Sequence, residues 1–252
     1  MIEIIAEFIG TMLLVLLGDG VVANVLLKDT KGHQGGWIVI AIGWGLGVFA
    51  GVAVAGPVSG AHINPAVTIG LATAGLFPWE SAAPYIAAQL TGGAAGAFLV
   101  WLFYYHHFNR TEDPGIKLAC YCTGPAIRRY PSNMVSEVIG TFVLIFVILY
   151  IAEPFVDMGD GREVKIGLGT LGAIPVALLV TAIGLSLGGT TGYAINPARD
   201  LGPRIMHAVL PMKNKGRSDW AYAWVPVAGP LMGALIAAAL FLIHQWLLGS
   251  YS

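Results

Sequence analysis

The sequence predicts an all-α membrane protein: six transmembrane helices plus two half-helices in an inverted repeat, forming a single transmembrane channel domain over residues 1–252. Three observations carry this expectation. The chain is 56% hydrophobic and 11% charged, with a mean hydropathy of +0.75, which leaves too little charge to coat a soluble domain. It holds six apolar stretches of spanning length. It also repeats one Asn-Pro-Ala step, as "AHINPAV" from Ala61 and "YAINPAR" from Tyr193, each time inside apolar surroundings.

Crossing about 30 Å of hydrocarbon takes roughly 20 helical residues. The stretches that meet this are 4–27, 37–56, 79–106, 134–152, 166–187 and 222–248. The first carries Glu3 and Glu7, has no basic leading region and shows no small-residue cleavage site, so it is expected to be a retained span rather than a removable signal. The polar pieces between spans ("KDTKGHQGG", "NRTEDPGIKLACYCTGPAIRRYPSN", "DMGDGREVK", "PMKNKGRSD") are too short to be domains. Cys120 and Cys122 sit two apart in the longest of them, a spacing that strains a disulfide and matches no common metal signature. We read them as incidental and expect no metal and no cofactor. A net charge of -1 without a basic, aromatic-interleaved stripe excludes nucleic acid as a partner.

The two halves are copies. "AEFIGTMLLV" from Ala6 aligns with "SEVIGTFVLI" from Ser136, and "SGAHINPAV" from Ser59 with "TGYAINPAR" from Thr191, giving repeats of about 1–125 and 130–252. Each half contributes three spans, and an odd number places the second half upside down relative to the first. After each Asn-Pro-Ala, residues 66–76 and 198–210 are apolar but only about half the spanning length. They read as half-helices dipping in from opposite faces. The Gly- and Pro-rich backbone before them would leave carbonyls unpaired at membrane depth, which is tolerated only where it is buried in protein or lines water.

Asn is a favoured helix N-cap and Pro a favoured first helical residue, so Asn64-Pro65-Ala66 and Asn196-Pro197-Ala198 are two helix starts. In a soluble core they would be caps and nothing more. Between inverted half-helices the geometry adds a role: when the Asn oxygen accepts from its own helix, the amide NH2 points away from it, into the space between the two stubs. The positive ends of both helix dipoles meet there, repelling cations and attracting lone-pair oxygens.

With these motifs the chain resembles the major intrinsic protein (aquaporin) family over essentially its whole length, and within it the glycerol-facilitator branch, on "NPARDLGPR" with Asp200 and Arg204 and on "VPVAGP" with Pro226-Val227. The resemblance implies a selectivity filter of Trp44, Gly184, Tyr193 and Arg199. Water-specific members resemble one another in a His at the position of Gly184 and usually a Cys at that of Tyr193; the best-known glycerol facilitators usually have Phe at the latter. Trp44 and Tyr193 would offer an apolar corner, Arg199 forked donors to hydroxyl oxygens on the solute's other face, and Gly184 room. The Tyr193 hydroxyl would narrow the opening, add a polar contact or point elsewhere.

By the same resemblance, backbone at Gly60, Ala61, His62, Thr191, Gly192 and Ala194 lines the pore, and Glu7 and Glu137 support the irregular backbone, although carboxylates inside spans also suit a proton relay. His62 is expected as a satisfied lumen residue, a pH-responsive gate being the alternative. Asp19 has no counterpart in the second half and no role in this reading. The implied function is a passive channel for glycerol and other small uncharged solutes (water, urea, undissociated hydroxy acids) that excludes ions and protons, working in the lipid of the cell membrane as a multi-pass homotetramer and not as an enzyme. An ion-coupled secondary transporter is the alternative, kept alive by Glu7 and Glu137.

The family orientation places the amino terminus inside. The loops after spans one, three and five then carry Lys28, Lys31, Arg110, Lys117, Arg128, Arg129, Lys213, Lys215 and Arg217 outside, against Arg162 and Lys165 inside, which opposes the positive-inside rule. A cysteine introduced by Lys213→Cys should be labelled by an impermeant maleimide on intact cells. Labelling only after lysis would reverse the orientation.

Overall fold

The fold is that of a computed structural model in which residues 1–151, 154–158 and 163–249 are described. Helices α1 (Ile2–Leu26) and α2 (Trp37–Ser59) are full spans, α3 (Pro65–Thr73) is a nine-residue stub, and α4 (Ala82–Phe103) is a third span entered through a 3₁₀ turn at Trp79–Ser81. Two short helices, α5 (Tyr105–Arg110) and α6 (Pro114–Ala119), fill the loop that joins the repeats. The second repeat runs α7 (Tyr130–Tyr150), an antiparallel pair β1 (Phe155–Asp157) and β2 (Glu163–Lys165), α8 (Ile174–Leu187), the 13-residue stub α9 (Pro197–Val209), and α10 (Val225–Gly249). All six expected spans are long and apolar enough to cross a membrane, and the chain is a multi-pass membrane protein.

The sequence boundaries move at several span ends, and one helix is new. The third span ends at Phe103 rather than 106, because Tyr104 leaves helical geometry (φ -101°, ψ 18°) before α5 resumes. The fifth opens with a 3₁₀ turn at Gly169–Ala173. Helix α6 was hidden inside a polar loop, yet its start is written in the same way as the stubs: Asp113 accepts from Gly115 N–H at 2.7 Å, with Pro114 at the first helical position. Arg162, counted above on the inner side, lies outside the described residues.

The repeats interlock. Stub α3 packs on α10 and α7 of the other half, α9 packs on α4 and α1, and α2 meets α8 across the centre. The α4–α9 crossing is close because Gly93 and Gly202 face the opposing backbone: a Cβ at Gly93 would fall 2.7 Å from the Ala198 carbonyl oxygen, and one at Gly202 2.8 Å from the Ala94 nitrogen. Small residues let helices approach where no water drives association.

On the face expected to be outer, a buried ion pair organises the loops. Asp200 and Arg204, both fully buried, are joined by two bonds, Nε to Oδ1 at 2.8 Å and Nη2 to Oδ2 at 3.0 Å. Asp200 also accepts from the Thr123 amide (2.8 Å) and hydroxyl (2.6 Å), and Arg204 donates to the carbonyls of Ser218, Asp219 and Thr123. One pair thus fastens α9 to the loops before α7 and before α10. The neighbouring basic residues are used in the same way: Lys215 donates to the Ala208 and Leu210 carbonyls at the end of α9, Lys117 to the Lys213 carbonyl, and Arg110 and Arg128 pair with Asp29 and Asp219. Much of the positive charge on this face therefore tethers loops. Cys120 and Cys122 are free and buried in this layer, and burial pushes both thiols well above their ordinary range, so they do not compete with an introduced cysteine.

Arg204→Ala leaves Asp200 as an uncompensated buried carboxylate, an expected loss of about 3–5 kcal/mol. Thermal unfolding in detergent should show a clear drop; an unchanged transition would mean that the loops are held by something else.

Candidate functional site

The site begins with two stretches of backbone that cannot be helical. Before α3, Gly60, Ala61 and Ile63 have φ of 81°, 51° and 42°; before α9, Gly192, Tyr193 and Ile195 have 80°, 38° and 44°. Left-handed φ is uncommon in non-glycine residues and persists where surrounding contacts enforce it. Here the enforcing groups are the two intramembrane carboxylates. Glu7 accepts from the amides of His62 (2.9 Å) and Ile63 (2.7 Å), from the Ser59 hydroxyl (2.7 Å) and from Gln89 Nε2 (2.7 Å). Glu137 accepts from the amides of Ala194 and Ile195, both at 3.0 Å, and from the Thr191 hydroxyl. Both carboxylates are almost completely buried.

The Asn residues cap and brace at once. Asn64 Oδ1 accepts from the Ala66 amide at 2.8 Å, and Asn196 Oδ1 from those of Ala198 (2.9 Å) and Arg199 (3.2 Å). Each amide nitrogen then crosses to the other repeat: Asn64 Nδ2 donates to the Ile195 carbonyl at 2.8 Å and Asn196 Nδ2 to that of Ile63 at 2.9 Å. One amide hydrogen of each Asn is therefore spent on holding the two stubs together, leaving one. The sequence reading, which aimed the whole NH2 at open space, missed this reciprocal brace.

Between the repeats lies a cavity of about 230 Å³. Its polar lining is Gly60, Ala61, His62 and Asn64 from one half and Ala194, Asn196 and Arg199 from the other; Val48, Val52, Val67, Leu71, Leu144 and Val180 contribute an apolar wall. A second cavity of about 540 Å³ adjoins it, sharing Val52, Gly60, Ile148, Gly172 and Val176. Of the expected lining, Thr191 and Gly192 are set back from this surface, Thr191 serving Glu137 and Gly192 lying against Thr123. His62 Nδ1 and the Thr68 hydroxyl are 3.1 Å apart, and the imidazole packs on Phe77 and Tyr85, as expected of a satisfied lumen histidine.

Of the four residues assigned by resemblance, Trp44, Tyr193 and Arg199 line the cavity while Gly184 lies behind Tyr193, outside that lining, an arrangement that differs in two respects from the expectation. Arg199 stands over Trp44, its guanidinium carbon 3.9 Å from the ring centroid, a cation–π stack rather than the opposite wall of a gap. The other support of that indole is Gly18 of α1, where a Cβ would fall 2.2 Å from Trp44 Cζ3; no motif singled out Gly18. The room left by Gly184 is taken by Tyr193, whose Cζ and Oη would each lie 2.8 Å from a Cβ at 184. Trp37, also missed from sequence, donates from Nε1 to the Gly184 carbonyl at 2.9 Å and meets the Tyr193 ring edge-on. Among the described residues, no cluster of three or more His, Cys, Asp or Glu could hold a metal ion.

Comparison with known proteins gives consistent matches. The family model described as "Major intrinsic protein" covers residues 1–241. A probable glycerol uptake facilitator protein of Thermotoga maritima is 54% identical over 96% of this chain and 98% of its own. Glycerol uptake facilitator protein 3 of Lactiplantibacillus plantarum is 54% identical over 95% of both. Among solved structures, the aquaglyceroporin from Plasmodium falciparum superposes with a TM-score of 0.80 at 34% identity, covering 95% of this chain and 94% of that one.

Asn64→Ala removes a cap and leaves the Ile195 carbonyl without its donor, an expected loss of roughly 2–4 kcal/mol. Equal thermal stability of variant and native chain would show that the brace bears no weight.

Proposed function

The chain belongs to the major intrinsic protein family, and on that premise we propose that it is a passive transmembrane channel that conducts glycerol, with water and other small uncharged solutes, through the lumen between its repeats. The observation that carries this reading is the pair of inverted stubs joined by their Asn amides beside a largely apolar cavity with a few polar groups in its wall. A solute entering such a space sheds water and needs replacements for its hydrogen bonds. Carbonyls of the irregular segments at 60–62 and 192–194, outside the Asn brace that takes those of Ile63 and Ile195, accept from its hydroxyls; the remaining amide hydrogens of Asn64 and Asn196 donate at the centre. The aliphatic wall takes the carbon edge.

Trp44, Gly184, Tyr193 and Arg199 act as the filter in this reading, Arg199 donating to solute oxygens while its fixed charge repels cations. Protons are excluded because the positive ends of α3 and α9 meet at the centre, and donors there orient each passing water with its oxygen inward. Glu7 and Glu137 serve as structural supports: the backbone amides that each carboxylate holds argue against their acting as coupling sites for an ion. Such a protein is a channel and not an enzyme. Its exposed apolar residues, among them Leu46, Phe103 and Leu178, suit lipid and neighbouring subunits, in keeping with a homotetramer in the plasma membrane.

Reconstituted in liposomes, the protein should give glycerol entry that is linear in the glycerol gradient and indifferent to an imposed pH or sodium gradient. Accumulation driven by either gradient would replace this reading with a coupled transporter.

A further inference from the structure

The face that carries the loops after spans one, three and five is strongly basic. Residues 27–36, 104–129 and 210–224 hold nine Lys and Arg against four Asp and Glu, a surplus of five positive charges on a chain whose net charge is -1. Bonding to carbonyls fixes Lys117 and Lys215 without neutralising them. At the ends of α7 and α10 this surplus meets exposed apolar surface, on a platform made of two loops. Arg128 joins them, paired with Asp219 through both terminal guanidinium nitrogens and lying over the Tyr222 ring at 5.2 Å. The Tyr130 hydroxyl donates to the Ala221 carbonyl at 3.4 Å, and its ring stacks on Trp224 with centroids 5.9 Å apart.

Ile127, Trp220 and Trp224 project from this platform, 74%, 51% and 49% exposed. Arg129 and Arg217 are exposed on the same two loops, and neither side chain has a hydrogen-bond or ion-pair partner among the described residues. Arg129 starts from a fixed point: its amide donates to Asn133 Oδ1 at 2.9 Å and its carbonyl accepts from the Ser132 hydroxyl at 3.0 Å. Tyr130 and Val225 are the first residues of α7 and α10, so the platform sits where those spans leave the hydrocarbon, the level at which Trp and Tyr collect in membrane proteins. Below it, α10 presents Met232, Leu235 and Ile236, spaced to share one exposed face.

We propose that this platform seats an anionic phospholipid of the leaflet it faces, with the phosphate on Arg129 and Arg217 and the upper acyl chain against Trp224 and α10. The inference concerns the lipid around the channel and goes beyond what the channel conducts. A soluble anion would make no use of the exposed indoles and Ile127, which gain by leaving water. Guanidinium forks match phosphate oxygens in pairs. A zwitterionic headgroup brings its own cation into a field already positive, whereas a headgroup ending in an uncharged alcohol leaves the phosphate charge to the arginines.

Native mass spectrometry of the detergent-purified protein, titrated with phosphatidylglycerol or with phosphatidylcholine of identical chains, gives a binding constant for each lipid. The native chain should hold phosphatidylglycerol more tightly. Arg129→Gln and Arg217→Gln should each lower that preference about fivefold, the effect of one cation near an anionic headgroup. Lys31→Gln, which removes an exposed cation from the loop between α1 and α2, should leave it unchanged. Equal binding of the two lipids by the native chain, a preference that survives both arginine changes, or an equal fall in Lys31→Gln overturns the proposal. Loss of the oligomer in Arg129→Gln would assign the platform to a neighbouring subunit and overturns it as well.

Discussion

Every backbone N–H and C=O inside a bilayer must find a partner, and the protein is built around the two places where helix cannot supply one. Residues 60–63 and 192–195 run through the membrane interior in conformations that break the helical ladder. A carboxylate from the first span of each repeat takes up their amides, Glu7 at His62 and Ile63 and Glu137 at Ala194 and Ile195. With the donors anchored on the protein side, and the Ile63 and Ile195 carbonyls taken by the Asn brace, the remaining carbonyls of the same segments are left to serve a solute. A charged group within a span, unfavourable by several kcal/mol if left alone, thereby becomes the device that makes a polar path possible. Ser59 and Gln89 complete the shell of Glu7, and Thr191 that of Glu137.

A second layer of order lies outside this centre. The Asp200–Arg204 pair fastens α9 to two loops, and Lys215 closes two carbonyls at the stub's far end. The entrance beside Arg199 is therefore framed by segments that are distant in sequence and joined by buried charge. Gly18 and Trp37 belong to the same frame: one lets the Trp44 indole lie flat on α1, the other pins the wall behind Tyr193.

Much of this was legible in the sequence, because it depends on local signals. Spans follow from apolar length, the inverted arrangement from a duplicated half with three spans, and the stub starts from Asn-Pro, whose cap geometry involves residues only two or three apart. What was not legible depends on partners far along the chain. The amide of Asn64 meets Ile195, and Trp37 meets Gly184; no periodicity announces such pairs. Gly184 read as empty space, since a missing side chain says nothing of which neighbour fills the gap. The hairpin β1–β2 was masked by its polar, Gly-rich surroundings, and α6 by a loop whose Asp113-Pro114 start went unweighed.

Asn64 and Asn196 stand 132 residues apart, and the same spacing carries Trp44 to Val176, Gly184 to Val52, Tyr193 to Ala61 and Arg199 to Val67. All four images line the cavity, so duplication produced two matching sets of positions and only one of them acquired aromatic and cationic groups. The other is aliphatic and small. A lopsided sieve in a pipe without an energy source cannot rectify: by microscopic reversibility, a molecule leaving the cell meets the same gate, with the same barrier, as one arriving. Discrimination built at a single end thus governs export as strictly as import, and the ancestral mirror image could stay plain without loss.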